Sequence, residues 1–247
     1  IQKHINSDIS NFLQKMYNKD KNEYMEMKQE IIAKSGIFLG KNRNALWVTW
    51  EKGVVKNNIQ IKGIPIISTS FPTAFKYVLK EVIDVILKES DKHDKGNIKV
   101  KEKVDKIMFD FKQSMKNEDI YDLGITKGVK DIEKWYNGNK WIKGTPIQVS
   151  SAINYNNLLS YLDLTDSYKN IESGDKMKYV YLNKNKYGFN SIGYFDEIDE
   201  QVERFIREHI SYERVFDAEI ANKIENIYQA VGWRMLDFNC QTDNSLF

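Results

Sequence analysis

Cysteine is nearly absent from this 247-residue chain: Cys240 stands alone, which excludes an internal disulfide framework and any cysteine-based zinc site. A reducing, cytoplasmic setting fits that usage. Long apolar runs are also missing, since none approaches the roughly 20 residues needed to cross a bilayer, and no secretory leader is visible. Histidine is scarce, and His93 sits by itself in the charged stretch ESDKHDKGN, where solvent exposure is the simpler reading than metal binding. The chain opens on Ile1 rather than Met, which points to a fragment or a processed product.

A strong charge of one sign is missing overall, because the formal net charge is only +2, but its distribution is uneven. Residues 1–150 carry 27 Lys and Arg against 19 Asp and Glu, a balance of +8, whereas residues 151–247 carry 10 against 16, a balance of −6. The first part is suited to phosphates and the second, as a whole, is not. A Lys-rich solvated surface in a Lys/Asn/Ile-biased chain is the competing explanation. Hydrophobic residues make up 41%, enough for a real core in one large domain or two smaller ones.

The clearest element lies in KGIPIISTSFPTAFKYVLKEVIDVIL, residues 62–87. Ile64, Ile66 and Ile67 read as a buried β segment, and Ser68, Thr69 and Ser70 follow as hydroxyls able to donate to an anion. Pro72 then sets a first helical turn, capped by Ser70 or Phe71. Phe75, Val78, Leu79, Val82, Ile83, Ile86 and Leu87 recur at helical spacing, so one face of this helix is buried.

Upstream, Ile5, Ile9, Phe12, Leu13 and Met16 predict a helix, with a polar break at 18–22 and a second helical segment ending near Ala33. Ile37–Leu39 and Ala45–Trp50 read as strands around the basic turn Gly40-Lys41-Asn42-Arg43-Asn44, and a third strand is expected over Ile59–Ile67. Downstream, Val100, Val104, Ile107, Met108, Phe111 and Met115 predict another amphipathic helix. GITKGVKDIEKW reads as a turn opening a short helix, TPIQVSSAINYNNLL as a helix opened by Pro146, and GDKMKYVYL as a strand after a glycine turn. Asp196-Glu197-Ile198-Asp199-Glu200 reads as the acidic first turn of a helix rather than a metal site. The last helix carries Phe216, Ile220, Ile224, Ile227, Tyr228 and Val231 and stops at Gly232.

Taken in order, these segments resemble the end of the palm and the thumb of family B DNA polymerases of the kind carried by T-even-like bacteriophages. The glycine, β segment, small polar residues, proline and long helix at 62–87 are similar to the palm-to-thumb crossing. The hairpin turn is similar to the family's Lys-Lys-Arg-Tyr turn at the primer-template minor groove: Lys41 and Arg43 match, while Asn42 and Asn44 replace lysine and tyrosine and keep hydrogen-bonding capacity toward base acceptors. Lys127, Gly128 and Lys130 match a thumb turn whose lysines and helix-start amides hold phosphate. Pro146, Ala152, Tyr155 and Asn156 match the next thumb helix, with Gln148 and Ser150 where relatives carry histidine or arginine. Tyr161-Leu162-Asp163-Leu164-Thr165-Asp166-Ser167 looks like the family's catalytic hairpin but has an extra residue, lacks an aspartate directly before Thr165 and follows the thumb segments, so it reads as a loop with capping aspartates.

The resemblance implies an α+β fold, in which a small antiparallel sheet of the palm end (1–70) precedes a mostly helical thumb with closing helices (71–231) and a tail (232–247). The tail ends in Ser245, Leu246 and Phe247 after Gln241, similar to a sliding-clamp-binding peptide; a frayed end is the alternative. The implied chemistry is nucleotidyl transfer by two Mg²⁺ ions held on palm carboxylates. Those carboxylates, the fingers and the exonuclease would all lie upstream, so no cofactor is expected in this chain and it should not polymerise alone. The implied partners are primer-template DNA, the N-terminal polymerase portion and the sliding clamp, in a bacterial host cell and with no membrane. The alternative is a stand-alone duplex-DNA-binding accessory protein, which would be a self-contained monomer, whereas a polymerase portion would leave apolar palm surface exposed at the first helix and the hairpin.

Overall fold

The computed structural model describes residues 2–17, 27–90, 97–138 and 141–234. The fold is mixed α+β, with two antiparallel three-stranded sheets among helices. Helix α1 (Gln2–Tyr17) comes first, followed by a meander of β1 (Ile31–Gly40), β2 (Arg43–Glu51) and β3 (Val54–Lys62). Residues 31–33, expected in a second helix, instead begin β1, because Ile31 and Ile32 pair with Glu51 and Trp50 across the ladder. The third strand is also displaced from the expected 59–67. It ends at Lys62, Gly63 turns with φ +66°, and Pro65–Ile67 form a 3-10 turn rather than a β segment. Pro65 supplies no N–H to a ladder and its fixed φ suits the turn, which buries Ile66 and leaves Ile67 exposed.

Helix α2 (Thr73–Glu89) buries every residue of the expected apolar face, and each such side chain contributes about 1.5–3 kcal/mol by leaving water. Its N-cap is Pro72, without a side-chain cap bond. Ser70, an expected cap, has its hydroxyl 2.8 Å from that of Ser68. Helix α3 (Ile98–Ser114) packs on α2 through Val100, Val104 and Met108.

A short helix α4 (Ile120–Leu123) leads into β4 (Ile125–Gly128), then a one-turn helix α5 (Ile132–Trp135) and α6 (Ile147–Tyr161). Strand β4 pairs with β5 (Lys176–Tyr181), and β5 with β6 (Ser191–Tyr194). This second sheet adds strands to a region expected to be mostly helical. Helix α6 lies against β6 and is buried nearly all round, so its polar residues are satisfied internally: the Ser151 and Ser191 hydroxyls are 2.8 Å apart, and Asn154 donates to the Ser191 carbonyl at 2.8 Å.

Helix α7 (Glu200–His209) starts at Asp199, whose carboxylate accepts from the Gln201 N–H at 2.8 Å, with Glu200 and Glu203 in the first turn, as its acidic sequence predicts. Helix α8 (Tyr212–Phe216), a π-turn (Asp217–Ala221) and α9 (Asn222–Ala230) close the fold, and Gly232 follows with φ +78°. The buried side chains form one continuous cluster from Ile37 and Ala45 of the first sheet to Tyr228 and Trp233. Among the described residues no helix is long and apolar enough to cross a membrane. His93, Cys240 and the expected clamp-binding residues Gln241, Ser245, Leu246 and Phe247 lie outside the described residues.

Candidate nucleic-acid interface

The basic turn closes the β1–β2 hairpin. Lys41, Asn42 and Arg43 are exposed, whereas Asn44 is half-buried between Phe38 and Lys62 in the ladder. Asn42 takes the left-handed conformation with φ +59°, a choice open to asparagine at low cost. The turn is braced from behind: a Cβ on Gly63 would lie 2.2 Å from the Asn42 carbonyl oxygen. Within the described residues neither Lys41 nor Arg43 has an ion-pair partner, so both cations remain available to an anion.

From Gly63 the chain runs directly into the hydroxyl-bearing loop. Thr69 is six positions along the chain from Gly63, which limits their spacing to about 20 Å. The loop is anchored to the second sheet, where the Thr126 N–H donates to the Ser70 carbonyl at 3.4 Å. Ser68 and Ser70 are half-buried and satisfy each other, whereas Thr69 is exposed. Thr69 lines a cleft with Thr126, Lys176, Lys178, Tyr194 and Asp196. Lys178 is bound within it, its ammonium 2.6 Å from Asp196 and 5.5 Å from the centre of the Tyr121 ring. Lys176 is exposed at the end of β5 opposite Gly128.

Lys176 and Lys178 were not among the expected contacts. Their signal is the alternation in GDKMKYVYL: Met177 and Tyr179 are buried, so the two lysines share the opposite face of β5. The expected Lys127 and Gly128 sit on β4 rather than at a helix start, with Lys127 paired to Met177. They therefore stand in a strand and not in the first turn of a helix. The one-turn helix α5 begins later, and the Ile132 N–H donates to the Ser173 hydroxyl at 2.9 Å. Lys127 and Lys130 are nonetheless exposed, with Lys127 on the opposite face of the sheet from Lys176 and Lys178.

The remaining expected contacts separate. Gln148 is half-buried in the first turn of α6. Ser150 is 3% exposed and its hydroxyl donates to the Ile147 carbonyl at 3.0 Å, which removes it from any surface contact. Asn156 bridges to the loop before β5, donating to the Ile171 carbonyl at 2.9 Å and accepting from the Ile171 N–H at 2.8 Å. Asp163 is in the left-handed conformation just after α6, in a helix-terminating loop. Among the described residues no group of three or more His, Cys, Asp and Glu is gathered as a metal-ligand set.

The meander turns only one face to the core. Ile37, Ala45 and Ile61 point inward. On the opposite face Phe38 is 66% exposed beside Leu46, and a Cβ on Gly36 would touch both side chains. Ile32, Val54 and Val55 add exposed apolar surface on the same sheet, and α1 exposes Phe12 and Met16. No protein-family model matches the chain, and no curated protein matches it in sequence.

Proposed function

We propose that the chain is the end of the palm and the thumb of a phage-type family B DNA polymerase, holding primer-template duplex by its backbone. The observation that carries this reading is the apolar outer surface of the meander and α1. Phe12, Phe38 and Val55, all exposed on the first sheet and the helix before it, cost free energy in water unless another protein covers them. A stand-alone DNA-binding protein has no need of such a face, whereas a polymerase portion needs a place for the N-terminal part of the enzyme that carries exonuclease, fingers and catalytic palm.

Duplex contacts fall to Lys41 and Arg43 on the turn, Asn42 beside them, and Thr69, Lys127, Lys130 and Lys176 around the second sheet. Two separated groups of cations on one chain suit two stretches of phosphate backbone, giving salt-dependent affinity without sequence preference. The partner would supply the carboxylates that hold Mg²⁺, so this chain would set processivity more than chemistry. Gln241 and the Ser245–Leu246–Phe247 tail would tether the enzyme to a sliding clamp in the host cell.

The test is primer extension with this chain, with the protein encoded upstream of it, with both and with neither. Extension only with both establishes a split polymerase. Equal extension by the upstream protein alone removes the thumb role and leaves an accessory duplex-binding protein.

A further inference from the structure

A cluster of aromatic rings reaches the surface at the end of α6. Tyr161, the last residue of α6, lies parallel to Tyr187, with ring centres 5.0 Å apart and planes within 10°. Phe189 lies 5.5 Å from Tyr187 at 28° and 6.5 Å from Tyr161 at 19°, so Tyr161 stands against both rings, and Phe205 of α7 meets Phe189 edge-on at 6.4 Å. Phe189 is buried, but Tyr161 is 58% exposed. Tyr161 thus packs on Tyr187 and Phe189 and still exposes more than half of its surface, where a further ring can stack.

The cluster is held in place before any ligand arrives. The Asn185 side chain accepts from the Tyr187 N–H at 3.2 Å and the Phe189 N–H at 3.1 Å, and it donates to the carbonyls of Asn183 at 2.9 Å and Phe189 at 2.7 Å. A loop fixed by four such bonds lowers the entropy lost on binding. Lys186 lies 4.8 Å from the centre of the Tyr187 ring, and Lys184 is exposed on the same loop. Asp163 and the C-terminal carbonyls of α6 make the ground near Tyr161 negative. The ligand therefore offers an uncharged ring to Tyr161 and its negative charge to the lysine loop.

We propose that Tyr161 is the outermost ring of a stacking platform for an unpaired base of single-stranded DNA, with Lys184 and Lys186 meeting the adjoining phosphates. This rests on the DNA-holding reading above and extends it from duplex to an unpaired strand.

The test titrates the full chain with a labelled oligothymidylate of about 12 nucleotides, the same strand lacking its bases, and a blunt duplex. Tyr161→Ala is expected to bind the oligothymidylate about tenfold more weakly, with Tyr161→Phe close to the parent and the base-free strand indifferent to either change. Joint replacement of Lys184 and Lys186 by Ala is expected to reduce the slope of log affinity against log salt by about 1.4, two phosphates at about 0.7 each. Unchanged oligothymidylate affinity in Tyr161→Ala, or no binding by the parent, overturns the platform. If duplex binding persists in that case, the DNA-holding reading survives. Tyr161-dependent binding of the single strand without duplex binding supports the platform and removes the duplex role instead.

Discussion

Tyr228 of α9 donates its hydroxyl to the buried carboxylate of Asp105 on α3 at 2.6 Å, joining residues 123 positions apart. Lys101 reaches the other carboxylate oxygen at 2.6 Å from one turn earlier on α3. The closing helices are thereby locked to the helix that packs on α2. A buried carboxylate between a phenol and an ammonium is satisfied only while both remain. Asp105→Ala is expected to cost about 3 kcal/mol by stranding both partners, and Tyr228→Phe about 1.5–3 kcal/mol. Urea denaturation checks both, and equal stability of Asp105→Ala and the parent would sink the lock.

Burial also fixes how the protein answers to alkali. It pushes the Tyr155 phenol up to about 12, aided by Tyr168 and Asp199. It raises Tyr179 and Tyr228 further, Tyr228 also through its bond to Asp105. These phenols stay protonated in the fold, whereas in the unfolded chain they ionise near pH 10. Their contribution is therefore complete below about pH 10 and is lost as pH rises from there through the folded values. Urea midpoints should fall across that window, and Tyr155→Phe should flatten the fall; a variant with the parent's alkaline profile would refute the assignment.

Gly63 has two reasons to be glycine, its φ of +66° and the Asn42 carbonyl oxygen 2.2 Å from where a Cβ would stand. Gly63→Ala is expected to cost about 1–3 kcal/mol, because backbone strain and a backbone clash coincide. It should also displace the Lys41–Arg43 turn and weaken duplex binding, as measured by fluorescence anisotropy. Gly53→Ala, where a Cβ meets nothing within 4 Å, is the control for strain without the clash.

Lys41→Ala, Lys127→Ala and Lys176→Ala should each weaken duplex binding uniformly across sequences and reduce the salt slope by about 0.9 for each phosphate that is no longer neutralised. Ser150→Ala, at a buried hydroxyl, should leave affinity unchanged. A slope that none of the lysine variants alters would place the duplex elsewhere on the molecule.

Phe38→Ser removes the most prominent ring of the outer sheet face without touching the core. Size-exclusion chromatography should show less self-association of the isolated chain, and primer extension in the mixture with the upstream protein should fall about tenfold or more. Extension at the parent's rate would mean that this face is not where the partner sits.

The helices were legible in the order of residues because a 3.6-residue period leaves a face that must be buried. Phe75 to Leu87 on α2 and the acid-capped start of α7 need no distant information. The outer limits of the hairpin were less legible, since residues 31–33 fit a helix until Glu51 and Trp50 pair with them. Ser150 fits a phosphate contact by type and position in sequence, but a helix buried on nearly every side leaves it no surface.

The order of residues encodes the local events: amphipathic helices, a basic hairpin turn, acidic caps and the asymmetry of charge. Chain packing alone brings β4, four residues long, to its partner near position 178, and places Thr69 in one cleft with Lys176 and Lys178. The same holds for Tyr161 stacking on Tyr187 and for Tyr228 finding Asp105. Such pairings depend on how the closed core places segments far apart in the chain, and no local period in either segment carries that information.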